Sequence, residues 1–266
     1  MRLLTIKEVQ AKQLELMKEL HSYLENKNIK YYLIAGSALG AVRHDGFIPW
    51  DDDIDIGMFR DDYEKFLDVC KDFGSEYDIV NFNNSQNCDF CLTRIYFKNT
   101  LIDDKSISET KLDKRLYFDI FPLDNVSEDI NERNNYEKKI KKIKNLISRI
   151  DVRNYNNSKS ELLVKKATSL ILSPFRNKIL KNFDKTIRLY QKTQTQYICS
   201  LCSQYSFKKQ VMPKSYYGKP TLHVFEDTEF YIPQQIDKYL TTLYGDDYMQ
   251  VPPEDKRRKG HDIYSI

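Results

Sequence analysis

The sequence predicts an α+β protein in which helices flank a mixed β-sheet core and a largely helical C-terminal region follows. Short apolar runs bounded by Gly and Asp lie in the first half of the chain and are typical of strands. Longer segments repeat apolar residues every three or four positions, as on one face of a helix. The chain has 266 residues, 41% of them hydrophobic and 30% charged, so it is long enough to bury a sizeable core.

The chain starts with a helical pattern and continues into a strand that ends in a Gly-Ser turn. Residues 5 to 26 have the spacing of an amphipathic helix, and Tyr31–Ala35 is a short apolar run typical of a buried strand. Gly36 and Ser37 follow, and we expect Ser37 to be the N-cap of a helix that begins at Ala38. Backbone N–H groups that open a helix bind phosphate, so Gly36 and Ser37 are candidate phosphate-binding residues.

Four aspartates within five positions form the most informative segment, Asp51, Asp52, Asp53 and Asp55, interleaved with Ile54 and Ile56. Successive side chains on a strand point to opposite faces, so Asp51, Asp53 and Asp55 are expected to share one face. Asp52 is expected at the entrance of the strand rather than in the core. Crowded carboxylates repel one another, and a hard divalent cation with oxygen ligands relieves that repulsion. The segment predicts a Mg²⁺ site, with Mn²⁺ as an alternative; the competing interpretation is a solvated acidic loop.

A further carboxylate is expected from a later strand at Leu116–Phe121. Asp119 lies there between two apolar residues, where an unpaired charge is costly. A metal shared with Asp53 and Asp55 would remove that cost, whereas a structural aspartate bonded to backbone is the other interpretation. Asp124 follows a proline and is expected in a turn.

The order of a strand, a Gly-Ser turn, a short helix, a loop and an Asp-x-Asp strand resembles the core pattern of nucleotidyltransferase-fold enzymes. A helix and two strands are predicted between Asp55 and Asp119. Asp61 or Asp62 is expected to cap a further helix. Residues 77–82 and 92–98 predict two strands. Arg94 on the second is a candidate phosphate ligand or, alternatively, half of a surface ion pair.

The second half of the chain has a more helical and more basic pattern than the first half. Residues 128–150 combine a run of lysines with an apolar stripe that includes Ile140 and Ile143. Such a helix lies on an anionic membrane or, alternatively, is a solvated helix that covers a core. We interpret residues 1–125 as the catalytic core and residues 126–266 as a helical and mixed region that completes the site and packs with the core as one unit.

Three blocks of the sequence resemble the LicD family: residues 36–44 with 46–57, residues 118–124, and a closing block of residues 244–249, 252–254, Lys256, Arg257 and His261. The resemblance runs from about residue 5 to the end of the chain. It has no matching motif between residues 126 and 210.

The resemblance implies a nucleotidyltransferase-like fold and the transfer of phosphocholine from CDP-choline to a hydroxyl of a bacterial surface glycan, with release of CMP. The acceptor would be a lipooligosaccharide, teichoic acid or capsule precursor, either free or linked to lipid. The implied catalytic residues are Asp53, Asp55 and Asp119, and Asp51 is a further metal ligand. The candidate substrate-binding residues are Gly36, Ser37, Arg43, Arg94, Arg257 and His261.

Two other classes of function stay open. Relatives of this family transfer other phospho-alcohols, such as phosphoethanolamine, phosphoglycerol or phosphoribitol, and a nearby alternative is an NTP-dependent nucleotidyltransferase. A non-catalytic glycan- or membrane-binding protein is disfavoured because it has no need for clustered carboxylates. A net charge of +3 gives no general case for nucleic-acid binding. The sequence shows neither a signal peptide nor a membrane-spanning apolar run, so a cytoplasmic protein is expected, with peripheral membrane contact as an addition.

Cysteine and tyrosine residues suggest two further features. Cys88 and Cys91, with Cys199 and Cys202, have the spacing of zinc ligands, whereas the alternative is that they are small buried hydrophobes. A choline group is held by aromatic faces through cation–π attraction. The candidates cluster in the C-terminal third and are Tyr216, Tyr217, Phe225, Tyr231, Tyr244 and Tyr248.

Overall fold

The computed structural model of the protein describes residues 2–82, 84, 91–102, 114–150, 159–257 and 261–265. Its strands are β1 (Arg2–Leu3), β2 (Tyr32–Leu33), β3 (Asp55–Phe59), β4 (Tyr77–Asn81), β5 (Thr93–Phe97), β6 (Thr100–Ile102), β7 (Tyr117–Val126), β8 (Tyr197–Cys199), β9 (Met212–Pro213), β10 (Thr221–Phe225), β11 (Thr228–Ile232) and β12 (Ile263–Ser265). Its α-helices are α1 (Ile6–Asn26), α2 (Ala35–His44), α3 (Arg60–Val69), α4 (Ile130–Ile150), α5 (Lys159–Leu172), α6 (Arg176–Ile187), α7 (Phe207–Gln210), α8 (Lys214–Tyr217) and α9 (Ile236–Tyr244). The predicted α+β class is confirmed.

The main sheet is mixed and has the strand order β2-β3-β7-β5-β4. β3 and β7 are parallel, and the other pairs in this order are antiparallel. The second half of β7 pairs with β8, which in turn pairs with β9. β7 is therefore the central strand. It pairs with β3 and β5 from the first half of the chain and with β8 from the second half.

The expected turn at Asp124 is wrong, because β7 continues through it to Val126. Pro122 made a turn the natural interpretation, since proline cannot donate a ladder hydrogen bond. In the structure, β5 pairs with β7 up to Ile120, and the pairing of β7 with β8 begins at Asp124. Pro122 lies in the gap between these two pairings, so the strand accommodates it.

Asp124 is buried and forms an ion pair with Arg60, the first residue of α3. Nε and Nη2 of Arg60 donate to the two carboxylate oxygens at 2.7 and 2.8 Å, and both side chains are at most 4% exposed. The helix therefore begins at Arg60 after Phe59, and neither Asp61 nor Asp62 caps it as expected. The buried carboxylate holds the guanidinium inside the protein and fixes where the helix begins.

Helix α1 has the extent that its apolar spacing predicts. Thr5 and Glu8 form a capping box, in which the Thr5 hydroxyl accepts from the Glu8 amide and the Glu8 carboxylate accepts from the Thr5 amide. The helix buries Leu16, Met17 and Leu20 in the main core below the sheet.

Helix α4 covers a second apolar cluster and does not present its apolar stripe to the outside. Ile140 and Ile143 are at most 5% exposed and pack with Leu180 and Phe183 of α6. The interpretation of residues 128–150 as a solvated helix that covers a core is therefore the one that the structure supports for this stripe.

A small three-stranded sheet joins distant parts of the chain. β12 lies between β1 and β6 and is antiparallel to both. The amide of Leu4 donates to the carbonyl of Ile263 at 2.8 Å, which extends the contact between β1 and β12. Among the helices of the described ranges, every one is too short or too polar to pass through a lipid bilayer.

The cysteines of the two Cys-x-x-Cys pairs lie partly within the described residues. Cys91, Cys199 and Cys202 belong to the second apolar cluster, and the Cys202 thiol donates to the Cys91 carbonyl at 2.9 Å. Burial raises the pKa of Cys202 to about 12, which keeps the free thiol protonated. Cys88 lies outside the described residues, so a zinc site of all four cysteines stays a prediction.

Candidate active site

A row of three charged side chains crosses the main sheet. Asp55 on β3 is in register with Asp119 on β7, and Asp119 is in register with Arg94 on β5. Residues directly opposite on neighbouring strands project from the same face. Nε of Arg94 donates to Oδ1 of Asp119 at 2.8 Å, and Nη2 donates to Oδ2 at 3.4 Å. One interpretation of Arg94 was half of a surface ion pair. Arg94 does form an ion pair, but the pair lies inside the site and not at the surface.

Asp51 and Asp53 enter the site from the segment before β3. The strand itself begins only at Asp55, yet the alternation of faces holds, since these three aspartates are half-buried while Ile54 and Ile56 are completely buried. Carboxylate oxygens of Asp51, Asp52 and Asp53 lie within 4.8 Å of one another. Asp51 and Asp53 therefore lie close to each other and to the Asp52 carboxylate between them.

Two buried glutamines of α1 fix the backbone of this acidic segment. Nε2 of Gln10 donates to the carbonyl of Asp51 at 2.9 Å, and Nε2 of Gln13 donates to the carbonyls of Asp52 and Tyr117 at 3.4 and 2.9 Å. Gln13 thereby links the segment to β7. Sequence reasoning missed both glutamines; the available signal was a pair of polar residues at i and i+3 on the apolar face of an amphipathic helix.

The predicted location of Asp52 at an exposed strand entrance is wrong. Its side chain is buried and accepts two hydrogen bonds from His261, one from the backbone N–H at 2.6 Å and one from Nδ1 at 2.9 Å. Burial by itself would raise the pKa of Asp52, but the hydrogen bonds from His261 outweigh burial and lower it. Asp52 therefore remains an ionised anchor for the C-terminal segment.

The electrostatics of Asp55 show how crowded the site is. Burial and the neighbouring negative charges of Asp53, Asp119 and Asp51 raise the pKa of Asp55 well above its ordinary value. Arg94 acts in the opposite direction but does not cancel these effects. Burial also raises the pKa of Asp119, again against the influence of Arg94. Ionisation of all these carboxylates together is therefore unfavourable at this end of the sheet.

This donor set fits a hard divalent cation. The groups that converge are carboxylate oxygens, which Mg²⁺ and Mn²⁺ prefer, and their mutual repulsion is what such an ion removes. Asp51, Asp53 and Asp55 are the residues that would hold it, with Asp119 next to Asp55. Asp119 is also held by its ion pair with Arg94.

The Gly-Ser turn lies directly against the acidic segment, although not as an N-cap. Helix α2 begins at Ala35, whose φ of 48° is in the left-handed region, and Ile34 is its N-cap residue. A Cβ on Gly36 would lie 2.8 Å from Oδ2 of Asp51, so a larger residue here would displace the Asp51 carboxylate. The Ser37 hydroxyl accepts from the Asp55 amide at 2.8 Å. The expected cap at Ser37 is wrong because the helix begins three residues earlier, at Ala35 instead of Ala38.

The remaining predicted basic residues contact the C-terminal segment. Nη1 of Arg43 donates to the carbonyls of Tyr248 and Gln250 at 3.0 and 3.2 Å. The Arg257 guanidinium stacks on the Trp50 ring at 4.4 Å, next to the acidic segment. The structure thus brings Arg94 and His261 to the carboxylates and Arg257 close to them, whereas Arg43 is committed to backbone carbonyls.

Two tyrosines from the C-terminal half border the carboxylates. The hydroxyls of Tyr205 and Tyr244 are 3.0 Å apart, with the rings edge to face. The charges of Asp51, Asp53 and Asp55 are close enough to raise the pKa of Tyr205, after the larger effect of burial. Sequence reasoning named Tyr244 and missed Tyr205.

The other aromatic candidates for choline binding lie elsewhere. Tyr217 and Phe225 are buried in the core, Tyr231 packs on His21, and Tyr248 donates to Asp237. The remaining candidate, Tyr216, stacks under the Lys238 ammonium group.

Comparison with known proteins gives three informative similarities. A family model described as LicD/FKTN/FKRP, nucleotidyltransferase domain, matches residues 28–150. The chain is 30% identical over 269 residues to the lipopolysaccharide cholinephosphotransferase LicD of Haemophilus influenzae, which covers 98% of this chain and 97% of that protein. It is 33% identical over 116 residues to an uncharacterized protein of Rickettsia prowazekii, or 41% of this chain and 44% of that protein.

A shorter similarity reaches a human protein. The chain is 49% identical over 39 residues to ribitol 5-phosphate transferase FKRP, which covers 15% of this chain and 8% of that protein. The Haemophilus match is much longer than this one. It extends along nearly the whole chain and includes the region between residues 126 and 210.

Proposed function

The chain belongs to the LicD family, and we propose on this premise that it transfers phosphocholine from CDP-choline to a hydroxyl of a cell-surface glycan and releases CMP. It is a phosphocholine transferase of the LicD type, and its acceptor is a glycan of the lipopolysaccharide class. The observation that supports the chemistry is the row formed by Asp55, Asp119 and Arg94, with the charges of Asp51 and Asp53 close to Asp55.

In this proposal, Asp51, Asp53 and Asp55 are the residues that would hold Mg²⁺. When bound, the cation neutralises charge on the diphosphate and on the departing CMP. After burial, the neighbouring charges of Asp53, Asp119 and Asp51 raise the pKa of Asp55, and a divalent cation would relieve that repulsion.

The neighbouring residues bind and orient the donor. The backbone N–H groups at Gly36 and Ser37 lie in the first turn of α2, where a phosphate is favoured. Arg94 sits between Asp119 and the Tyr117 ring, which it covers at 4.2 Å. The two contacts hold the guanidinium toward the carboxylates, where its positive charge can stabilise a phosphate oxygen.

The reaction is an in-line displacement at phosphorus. The acceptor oxygen forms a bond to the phosphorus on the choline side, and the bond from that phosphorus to the bridging oxygen breaks, so CMP leaves with the bond's electron pair. The proton of the acceptor hydroxyl passes to a carboxylate of the site, with Asp119 as the candidate. Arg94 compensates the charge that Asp119 carries before the transfer.

We place this reaction on the cytoplasmic side of the membrane, where CDP-alcohols are made. The glycan acceptor would then be modified before export.

The first prediction concerns the products. Full-length protein incubated with CDP-choline, Mg²⁺ and a glycan acceptor should release CMP in equal amount to the phosphocholine found on the acceptor. Chromatography of nucleotides and mass spectrometry of the glycan measure the two. CTP in place of CDP-choline is the control and should give no product. Release of pyrophosphate from an NTP, with nucleotide left on the acceptor, would instead identify a nucleotidyltransferase.

Transfer of another phospho-alcohol is the second candidate. The short similarity to a ribitol 5-phosphate transferase favours it, although it covers 15% of this chain. A panel of CDP-choline, CDP-ethanolamine, CDP-glycerol and CDP-ribitol in the same assay separates the two. The highest kcat/KM identifies the donor.

The second prediction concerns choline recognition by Tyr205 and Tyr244. A quaternary ammonium group cannot donate hydrogen bonds and is held by aromatic faces, which contribute about 2 kcal/mol when desolvated. Tyr205→Leu should therefore lower kcat/KM for CDP-choline by about tenfold or more. The loss should be clearly smaller for CDP-ethanolamine.

Two controls make this test specific. Tyr205→Phe keeps the ring and should retain most of the preference for choline. Tyr216→Leu removes an aromatic ring that stacks on Lys238 and should change neither donor. Equal losses for both donors in Tyr205→Leu would contradict the assignment.

A further inference from the structure

Positive charge is concentrated in one stretch of the chain. Between positions 138 and 181 there are thirteen lysine and arginine residues and two acidic residues, although the net charge of the whole chain is +3. The rest of the chain is therefore net acidic. Such an asymmetry directs one side of a molecule toward a negatively charged partner.

Large apolar side chains are exposed in the same stretch. Val164, Leu170 and Ile171 of α5 are 64%, 77% and 67% exposed, and Phe175, in the turn that leads into α6, is 56% exposed. Leu146 of α4 is 36% exposed. Single exposed apolar residues are ordinary, but neighbouring ones on connected elements indicate an interaction surface.

Apolar and basic side chains alternate on these helices at spacings that place them on common faces. Lys142 precedes Leu146 by four residues, Lys166 precedes Leu170 by four, and Lys178 follows Phe175 by three; all three lysines are exposed. Positions three or four apart lie side by side on a helix surface. We call the surface formed by these six residues with Val164 and Ile171 the basic-apolar surface.

The basic-apolar surface differs from the membrane contact considered from the sequence. That interpretation used the isoleucine stripe of α4, but Ile140 and Ile143 are buried against α6. The apolar component that faces outward comes from α5 and the turn at Phe175 instead. Helix α4 supplies Leu146 and basic residues from its solvent-facing side.

We propose that the basic-apolar surface docks the protein peripherally on a membrane rich in anionic lipids. Lysines bind the lipid headgroups, while Leu170, Ile171 and Phe175 enter the boundary between headgroups and acyl chains. A nucleic acid would use the positive charge but leave the apolar side chains in water, so the membrane is the occupant that satisfies both. The inference goes beyond the transferase proposal, since the surface lies outside the carboxylate site.

The test is co-sedimentation of the full-length protein with vesicles, in the absence of nucleotide and acceptor. Vesicles of phosphatidylcholine with phosphatidylglycerol should bind the protein, and vesicles of phosphatidylcholine alone should bind it much less. The variant Lys142→Glu, Lys166→Glu, Lys178→Glu should weaken binding by at least about tenfold. Leu170→Ser with Phe175→Ser should weaken binding by about tenfold through loss of apolar burial.

Matched variants elsewhere on the chain control for charge and exposure. Lys7→Glu, Lys30→Glu, Lys219→Glu makes the same change of charge at exposed lysines. Leu222→Ser with Val224→Ser alters side chains that are 47% and 46% exposed. Both controls should keep vesicle binding within about twofold of the unchanged protein. CMP release with a water-soluble acceptor should be unchanged in all four variants, which separates this proposal from the transferase proposal.

Three outcomes would overturn the inference. The first is equal binding to neutral and anionic vesicles, and the second is an equal loss in the control variants. The third is that the protein does not bind vesicles but uses the same surface for another partner. In that case sedimentation velocity would show a dimer, or a binding assay would show a complex with duplex DNA, and Leu170→Ser with Phe175→Ser would abolish it.

Discussion

Replacement of Asp55 by Asn is expected to abolish phosphocholine transfer while the fold is retained. The change keeps the size of the side chain but removes the negative charge that faces Asp53, Asp119 and Asp51. Because that charge is unfavourable in the metal-free protein, the melting temperature of Asp55→Asn should not fall. CMP release at saturating Mg²⁺ should drop by about 10²-fold or more, because stabilisation of negative charge at the phosphates supplies most of the rate acceleration.

Asp53→Asn is expected to have an effect of the same size, whereas Asp72→Asn, at an exposed aspartate, is the control and should leave turnover unchanged. Circular dichroism and melting curves establish that each variant is folded. Near-normal turnover of either Asp55→Asn or Asp53→Asn would mean that the site does not work through metal-bound carboxylates.

Among the variants proposed for this protein, Arg60→Met is expected to lower the free energy of unfolding most. It leaves the Asp124 carboxylate buried without the guanidinium that binds both of its oxygens. Removing one partner of a buried ion pair costs about 3–5 kcal/mol. Urea unfolding at 25 °C measures the free energy of unfolding. Arg2→Met removes an exposed ion pair with Glu8 and should change it little.

The pH dependence of the Arg60→Met variant provides an independent check. Burial already raises the pKa of Asp124, and Arg60 opposes this effect. Without Arg60 the folded-state pKa rises further above the unfolded value of about 3.9, so the folded protein binds the proton more tightly. The extra stability loss should therefore be small at acidic pH and grow as the pH rises. The double variant Arg60→Met, Asp124→Leu should recover much of the loss; failure to recover would mean that Arg60 acts through other contacts.

The sequence predicted the parts of the fold that depend on local spacing. Helix α1 and the strands β4 and β5 follow from the spacing of apolar residues within short segments. The aspartates of the acidic segment were predicted for the same reason, because the alternation of Asp53, Ile54 and Asp55 is itself a local pattern. Such signals need no knowledge of distant parts of the chain.

What the sequence did not predict depends on contacts between distant residues. Asp52 is buried because His261 supplies two donors from 209 positions away, and Asp124 is in a strand because Arg60 and β8 stabilise it there. Gln13 was missed for the same reason, since its acceptor at Tyr117 is 104 positions away. Residue type and spacing carry no information about such partners.

The bond between Asp52 and His261 also has a consequence for the order of events during protein synthesis. A ribosome that has reached residue 244 has already made every aspartate of the site, but β12 and His261 do not yet exist. The acidic segment then lacks the two donors that hold Asp52, and β1 and β6 lack the strand that joins them. Contacts of such sequence separation form late in folding. The growing chain can therefore carry the carboxylates for much of translation without the completed site.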